Sequence, residues 1–237
     1  MTSRLARWGQ MLGRSGDYVR QEMNKTRQVL DPTAIQKTKL LHRFRSEKDV
    51  EKWTHGSDES FGGLSTSKLE LAMDGRGMRF HGDLRLGVKP EYEGIFRGGF
   101  AGIKTRARPT LFGNLAENLS MYEYLGLRVK VGKPPCIRDA WYINLRTKTM
   151  DPNHVWQHRL FLRSTDGEFE DAVVRLDDFG YTASGNMVET IDEMEMESIE
   201  MLGVSLLGGN AGLQGPYELT IDEIWATNDP TATPRRN

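Results

Sequence analysis

The feature that most constrains this fold is a series of short segments in which apolar residues recur at every second position. In one segment, Leu125, Leu127, Val129 and Val131 alternate with Gly126, Arg128, Lys130 and Gly132. The other segments with this period are Met78-Phe80-Gly82-Leu84, Trp141-Ile143-Leu145, Leu202-Val204-Leu206 and Tyr217-Leu219-Ile221. A period of two is typical of strands with one buried face, and the turn residues between the segments favour a sandwich or barrel over a parallel sheet. We therefore predict an all-β, antiparallel sandwich over residues 46–227.

A different period governs the N-terminus, where residues 4–30 are predicted to form an amphipathic helix. Its apolar stripe consists of Leu5, Trp8, Leu12, Val19, Met23 and Leu30. Arginines occupy other positions, and Gly9, Gly13 and Gly16 each weaken the helix by roughly 1 kcal/mol relative to alanine. We expect the helix to be stable only when bound, with Arg4, Leu5, Arg7, Trp8, Leu12 and Arg14 as the residues that contact a membrane or partner. An import presequence and a helix packed on its own domain are the alternatives.

The sequence also suggests where the arm and the sandwich end. Asp31-Pro32 is a typical helix start, which predicts a second, short helix to about Leu41. Residues 1–45 are therefore assigned to a basic helical arm, and residues 228–237, with Pro230 and Pro234, to a disordered tail.

Charge is distributed unevenly along the chain. Residues 1–45 hold ten Lys/Arg and three Asp/Glu, a balance of +7, whereas the remaining residues carry −8. A basic arm on an acidic body favours contact between the arm and an anionic surface, and the acidic sandwich argues against nucleic-acid binding. The single cysteine, Cys136, excludes an intrachain disulfide and fits a reducing compartment.

Residues 187–201 interleave methionines with acidic residues, which permits two interpretations. The segment is either a charged strand edge that blocks pairing with other chains or an acidic docking surface with methionine contacts. The first is favoured, because edge protection is a general need of β-sheets.

No catalytic or cofactor-binding motif is present in the sequence. It contains no phosphate-binding loop, and only His154 and His158 are close enough in sequence to suggest a metal. We therefore predict no enzymatic activity, no cofactor and no metal. Trp141, Tyr142 and Trp156 could form a sugar-binding platform, although filling a core is the more common role of such residues.

One segment stands apart from the strand pattern: Trp53-Thr54-His55-Gly56-Ser57-Asp58-Glu59-Ser60-Phe61-Gly62-Gly63-Leu64-Ser65. Asp58 can fix a turn through its side chain, and doubled glycines allow positive φ where a strand begins. Three later stretches accompany it: Phe80-His81-Gly82 with Phe96-Arg97-Gly98-Gly99-Phe100-Ala101, then Leu119-Ser120-Met121-Tyr122-Glu123-Tyr124-Leu125-Gly126-Leu127-Arg128-Val129, and last Gly215-Pro216-Tyr217-Glu218-Leu219-Thr220-Ile221-Asp222-Glu223-Ile224. In this order the four stretches resemble the complex I intermediate-associated protein 30 family over residues 44–226.

The resemblance implies a jelly-roll sandwich of the galactose-binding type and a non-catalytic assembly factor of mitochondrial complex I. It implies a location on the matrix side of the inner membrane, where such a factor binds membrane-arm intermediates with other assembly factors and leaves before the enzyme matures. Peripheral contact with anionic lipid is a further expectation for the arm. The motif residues expected to have structural roles are Ser57, Asp58, Gly62, Gly63, Ser65, Gly98, Gly99 and Phe100. A carbohydrate-binding or carbohydrate-processing sandwich is the alternative function.

Overall fold

The structure is a computed structural model that describes residues 4–30, 37–132, 135–148, 150–151, 153–164, 167–183, 185–189, 193–232 and 234. Within these residues it has two α-helices, α1 (Arg4–Leu30) and α2 (Glu47–Val50). The strands in chain order are β1 (Thr38–Arg43), β2 (Trp53–Ser57), β3 (Thr66–Leu71), β4 (Met78–Leu84), β5 (Phe100–Thr105), β6 (Pro109–Thr110), β7 (Gly113–Asn114), β8 (Tyr124–Val131), β9 (Trp141–Thr147), β10 (His154–Arg159), β11 (Glu170–Arg175), β12 (Gly180–Ala183), β13 (Asn186–Met187), β14 (Ile199–Leu207) and β15 (Gly215–Thr227).

Two antiparallel sheets face each other across one apolar core. Sheet A has the order β11-β8-β15-β4-β3, and β1 pairs with the C-terminal half of β15. Sheet B has the order β13-β12-β10-β9-β14-β5-β2, while β6 and β7 form a separate hairpin. The predicted antiparallel sandwich is confirmed.

The period-two segments supply the core, as their pattern predicts. In β8, Leu125, Leu127 and Val129 are fully buried, and the alternating positions of β9 and β14 likewise face inward. Trp141 is also fully buried, and its ring meets that of Phe80 edge to face at 6.1 Å between centroids. Aromatic side chains here fill the space between the sheets, which is their usual role in a sandwich core.

The start of the sandwich differs from the prediction. The expected helix to about Leu41 is wrong for residues 38–41, because Thr38–Arg43 forms β1 and pairs with β15 from Thr38↔Thr227 to Arg43↔Glu223. The register shifts between Leu40 and His42, which hides the period-two pattern of this strand. The sandwich therefore includes residues that we assigned to the arm, while residues 31–36 lie outside the described residues.

Ion pairs join β1, the residues just after it and the turn between β3 and β4 to strand β15. Asp222 and Glu223 of β15 are each only 1% exposed. Arg43 Nε donates to Glu223 Oε1 at 2.7 Å, Arg45 binds Asp222, and Arg76 Nε donates to Asp222 Oδ2 at 2.9 Å. Buried carboxylates of this kind are tolerated because cations and hydrogen bonds compensate for lost hydration.

The C-terminal boundary also shifts. The sequence predicts a disordered tail from Asn228, but Asn228 Nδ2 donates to Met121 O at 2.8 Å and its Oδ1 accepts from Glu123 N at 2.9 Å. The prediction is wrong for Asn228, while residues 233 and 235–237 lie outside the described residues.

The methionines of residues 187–201 divide between edge and core. Met187 lies in β13 at the edge of sheet B and is 73% exposed. Met194 and Met196 pack against the core, and Met201 is 7% exposed. These three methionines are thus partly or wholly withdrawn from the surface that the docking interpretation requires.

Candidate functional site

The first candidate site is a cluster around the buried carboxylate of Asp58, which follows β2 and is 3% exposed. Oδ1 accepts the Ser65 N–H at 2.9 Å. Oδ2 accepts the N–H of Gly99 at 2.6 Å and that of Phe100 at 3.0 Å, and the Ser65 hydroxyl lies 3.0 Å away. A single side chain therefore ties the loop after β2 to the first residues of β5, which are about forty positions later in the chain.

Two serines extend this network. Ser57 Oγ donates to Ser65 O at 2.7 Å, and Ser65 Oγ accepts the Arg85 N–H at 3.0 Å. The one hydroxyl proton of Ser65 serves either Asp58 Oδ2 or Arg85 O, which lies 3.1 Å away. The network thereby joins the loop after β2 to the segment that follows β4.

The glycines of the motif make room for these crossings. A Cβ on Gly63 would lie 2.2 Å from Asp58 Oδ1, and a Cβ on Gly98 would lie 2.8 Å from the carbonyl oxygens of Leu86 and Gly87. Gly62 and Gly99 have φ of 96° and 93°, a region that L side chains rarely adopt. We call the set of Ser57, Asp58, Gly62, Gly63, Ser65, Gly98, Gly99 and Phe100 the Asp58 cluster. A structural role for it remains our proposal, supported by this geometry.

The loops joined by the Asp58 cluster carry apolar side chains that the sequence analysis did not single out. Phe61 is 69% exposed and Ile95 is 72% exposed. The Tyr92 ring lies over Gly62, where it occupies the position of a Cβ. No periodic pattern marks these residues, because they lie in loops.

The second candidate site is helix α1, which contacts the sandwich mainly through the β6–β7 hairpin. Ser15 Oγ donates to Met11 O at 2.7 Å and accepts the Leu111 N–H at 3.0 Å. The Tyr18 ring stacks on Phe112 with 5.5 Å between centroids. One side of the helix is thus attached to the domain by a small number of contacts.

The apolar stripe of α1 borders this attachment but is largely exposed. Trp8, Leu12, Val19 and Met23 are 59%, 57%, 47% and 68% exposed. Their spacing puts them on one side of the helix, beside Ser15, which follows Leu12 by three residues and precedes Val19 by four. Arg14 is half-buried and faces the sandwich instead. The side chains of Arg4, Leu5 and Arg7, predicted to belong to the same surface, lie outside the described residues.

A buried ionic group lies under β1. Burial raises the pKa of Glu117, but Lys39 and Arg108, each with a nitrogen 3.0 Å from a carboxylate oxygen, hold it below its ordinary value. His42 is nearby, edge-on to the Trp53 ring at 5.1 Å. Burial is the main cause that lowers the pKa of His42 from 6.5 to about 4; Glu117 opposes it and Arg108 adds to it. His42 is therefore neutral at pH 7.

The residues proposed for metal or sugar binding are separated by the fold. His154 Nδ1 lies 2.7 Å from the Tyr181 hydroxyl, whereas His158 Nδ1 contacts Arg159 O. Trp141 and Trp156 are 0% and 8% exposed, so of the three aromatics only Tyr142 reaches the surface substantially. These aromatics do not form the platform that the carbohydrate alternative invokes. The side chain of Cys136 lies outside the described residues.

Comparisons with known proteins agree on one family. The family model described as Complex I intermediate-associated protein 30 (CIA30) matches residues 42–221. The protein named Complex I intermediate-associated protein 30, mitochondrial, from Neurospora crassa is 30% identical over 212 residues, covering 80% of this chain and 73% of that protein. The Mus musculus protein of the same name is 23% identical over 209 residues, covering 86% of this chain and 60% of that protein.

Solved structures agree on the fold. The family 11 carbohydrate-binding module from Clostridium thermocellum, in complex with a β-1,3-1,4-mixed-linked tetrasaccharide, superposes with a TM-score of 0.54. It is 12% identical, and the match covers 81% of this chain and 95% of the module. A second structure of a family 11 module, from the cellulosomal cellulase Lic26A-Cel5E of the same organism, gives a TM-score of 0.53. At this identity the likeness concerns the β-sandwich alone. In the described part of the chain, no helix combines the length and apolar character needed to cross a membrane.

Proposed function

This chain belongs to the complex I intermediate-associated protein 30 family, and we propose that it binds membrane-arm assembly intermediates of complex I, together with other assembly factors, and is absent from the mature enzyme. We further propose that it acts in mitochondria, on the matrix side of the inner membrane. Its relatives are named as mitochondrial and as associated with an intermediate, which supports both parts. The proposal assigns the protein a binding role and no catalytic step.

The observation that carries this proposal is the exposed apolar stripe of α1. Four side chains on one side of a helix, each about half exposed or more, present a surface that water disfavours. The helix is fixed to the sandwich at the border of this stripe, through Ser15 and Tyr18. The stripe is therefore held in place but unoccupied by the described residues, as a docking surface would be.

The positive charge of the arm favours a binding target that is itself negatively charged or that lies in an anionic membrane. Helix α1 holds six Lys/Arg and two Asp/Glu, a balance of +4, and each Lys/Arg near an anionic surface contributes about 1 kcal/mol. An amphipathic helix with basic residues beside an apolar stripe can lie in a membrane interface or in a hydrophobic groove of a membrane subunit. We propose peripheral contact with anionic lipid as part of this binding.

Substitution of the stripe tests the proposal. Trp8→Ser/Leu12→Ser/Met23→Ser in the full chain should abolish co-purification with complex I intermediates and co-sedimentation with inner membranes. The matched control is Phe61→Ser/Met73→Ser/Ile95→Ser, which removes three apolar side chains elsewhere that are more exposed than those of the stripe. If the control loses binding and the stripe variant keeps it, the docking surface lies on the loops that carry Phe61, Met73 and Ile95, and the assignment to α1 is wrong.

Salt distinguishes the two kinds of target. Added salt should release the protein from membranes if anionic lipid supplies the contact, because it screens exposed charges beyond about 8 Å at physiological strength. Binding to a hydrophobic groove of a protein subunit should persist at the same salt concentration.

A further inference from the structure

A cleft of about 710 Å³ lies between α1 and the outer face of sheet B. Its helical wall is formed by Gln10, Met11 and Arg14. The sheet wall crosses strands β2, β5, β9 and β14, with Lys104 and Arg146 among its residues, and Arg106 lies just beyond β5. This volume is in the range of small-molecule sites. The cleft is separate from the exposed stripe, which lies on another side of the helix.

The polar lining of the cleft is strongly basic. Arg14, Lys104, Arg106 and Arg146 all border it, whereas its described lining residues include no Asp or Glu. Arg106 Nε donates to Glu51 O at 2.9 Å, which is a neutral acceptor. Within the described part of the chain, Arg14 and Lys104 take part in no ion pair. Positively charged side chains that line a concave surface concentrate the electrostatic field there, and this field attracts anions.

The sheet register explains how the cations can meet one ligand. Lys104 pairs with Gly203 on β14, and Arg146 pairs with Met201 on the same strand. Strand spacing and rise put the Cα atoms of Lys104 and Arg146 roughly 12 Å apart. Gly203 lies on β14, between the strands that carry the two cations; it has no side chain, and the Met201 sulfur, 3.3 Å from where its Cβ would be, forms part of the floor. Two long side chains on the same face of the sheet can therefore converge over this position from opposite sides.

We propose that this cleft binds a phosphate group, carried by a soluble small molecule or by a lipid head group. A phosphate has up to two negative charges and several acceptor oxygens, so it can bind several converging cations at once. Guanidinium groups suit it especially because they donate two parallel hydrogen bonds. Met11, Ala107, Pro109 and Met201 supply an apolar part of the lining for the rest of such a ligand.

Calorimetric titration with pyrophosphate tests this inference on the full chain. Pyrophosphate should bind one site, while sodium chloride of matched ionic strength gives no such signal. Lys104→Gln/Arg146→Gln should weaken binding about tenfold to a hundredfold, the effect of losing charge-assisted hydrogen bonds. The matched control, Lys48→Gln/Lys68→Gln, removes the same charge from exposed positions outside the cleft and should leave affinity within about twofold.

Vesicles then distinguish the two sources of phosphate. If a lipid head group is the ligand, phosphatidylglycerol vesicles should bind the wild type better than Lys104→Gln/Arg146→Gln, and pyrophosphate should release it. If the ligand is soluble, pyrophosphate binds but leaves vesicle binding unchanged. The inference is overturned if pyrophosphate gives no more heat than sodium chloride, or if both double variants lose affinity equally. It is also overturned if a polyglutamate peptide binds the cleft more tightly than pyrophosphate, which would indicate an acidic protein segment.

Discussion

The Asp58 cluster and helix α1 differ in burial: the central side chain of the cluster is buried and hydrogen-bonded, whereas the apolar side chains of the helix are exposed. The Asp58 carboxylate is almost completely buried and lies within hydrogen-bonding distance of four donors from three residues. The described contacts of α1 with the sandwich centre on Ser15 and Tyr18, and four of its apolar side chains are exposed. The family match starts at residue 42, so it includes the cluster and not the helix. The comparison supports our proposal that the most recognisable residues of the chain build its scaffold, while a segment outside the family match carries the exposed apolar surface.

The largest effect on stability is expected from removal of the Asp58 carboxylate. Asp58→Ala leaves buried N–H groups of Ser65, Gly99 and Phe100 without their acceptor, so unfolding free energy should fall by about 4 kcal/mol, measured by urea denaturation. The exposed control, Asp177→Ala, should cost less than about 0.5 kcal/mol. A loss below about 1 kcal/mol, with binding to assembly intermediates abolished, would make the cluster a binding site.

Gly63→Ala tests whether the cluster needs its glycines for space. The new Cβ would overlap Asp58 Oδ1, so we expect a loss of about 3 kcal/mol in unfolding free energy. Gly56→Ala is the control, because no heavy atom lies within 4 Å of its added Cβ. Its effect should be within about 1 kcal/mol and can be stabilising. Equal melting temperatures for the two variants would contradict the structural role of Gly63.

Acid titration shows whether β1, between the arm and the core, is part of the rigid scaffold. Because burial lowers the pKa of His42 to about 4, the unfolded chain takes up this proton first as pH falls below 6.5. The contribution is fully present above pH 6.5 and is lost towards pH 4, by about 3 kcal/mol. His42→Gln should flatten the dependence of unfolding free energy on pH in this window, with His158→Gln as the control. An unchanged slope in His42→Gln would mean that β1 does not bury His42 in solution.

Removal of α1 should have the smallest effect on stability. A chain lacking residues 1–30 loses the Ser15–Leu111 and Tyr18–Phe112 contacts, so its unfolding free energy should change by less than about 1 kcal/mol. Far-ultraviolet circular dichroism should still show the β-sandwich, while membrane co-sedimentation is lost. If the shortened chain fails to fold, α1 is part of the folded core, and our proposal that it is a separate binding surface is wrong.

Strands with an unbroken period were predictable from sequence, and the strand with a bulge was not. In β8 every second residue enters the core, so the pattern alone located it. In β1 the register shifts between Leu40 and His42, and Asp31-Pro32 upstream suggested a helix instead. A bulge adds one residue to the strand, which moves later side chains to the other face and erases the alternation.

Local parts of the sites were predictable, but their assembly in space was not. The turn at Asp58 and the doubled glycines are visible in sequence, whereas the hydrogen bonds from Gly99 and Phe100 to Asp58 join segments about forty residues apart. The basic cleft combines residues of α1 with residues of several strands. The spacing of residues within one segment cannot predict that these residues lie close together, because their proximity depends on the strand order and on the position of the helix.

The position of β15 also affects how the chain is made. This strand pairs with β4, β8 and β1, yet it comes last among the strands of the described residues. During synthesis or passage through a membrane, the N-terminus emerges first. Strands β1, β4 and β8 therefore lack their β15 partner until residues 215–227 are available. During that interval the unpaired edges of β4 and β8 are exposed to association with other chains. The sheet is therefore completed only when residues 215–227 become available, and any truncation before β15 removes the partner of three strands at once.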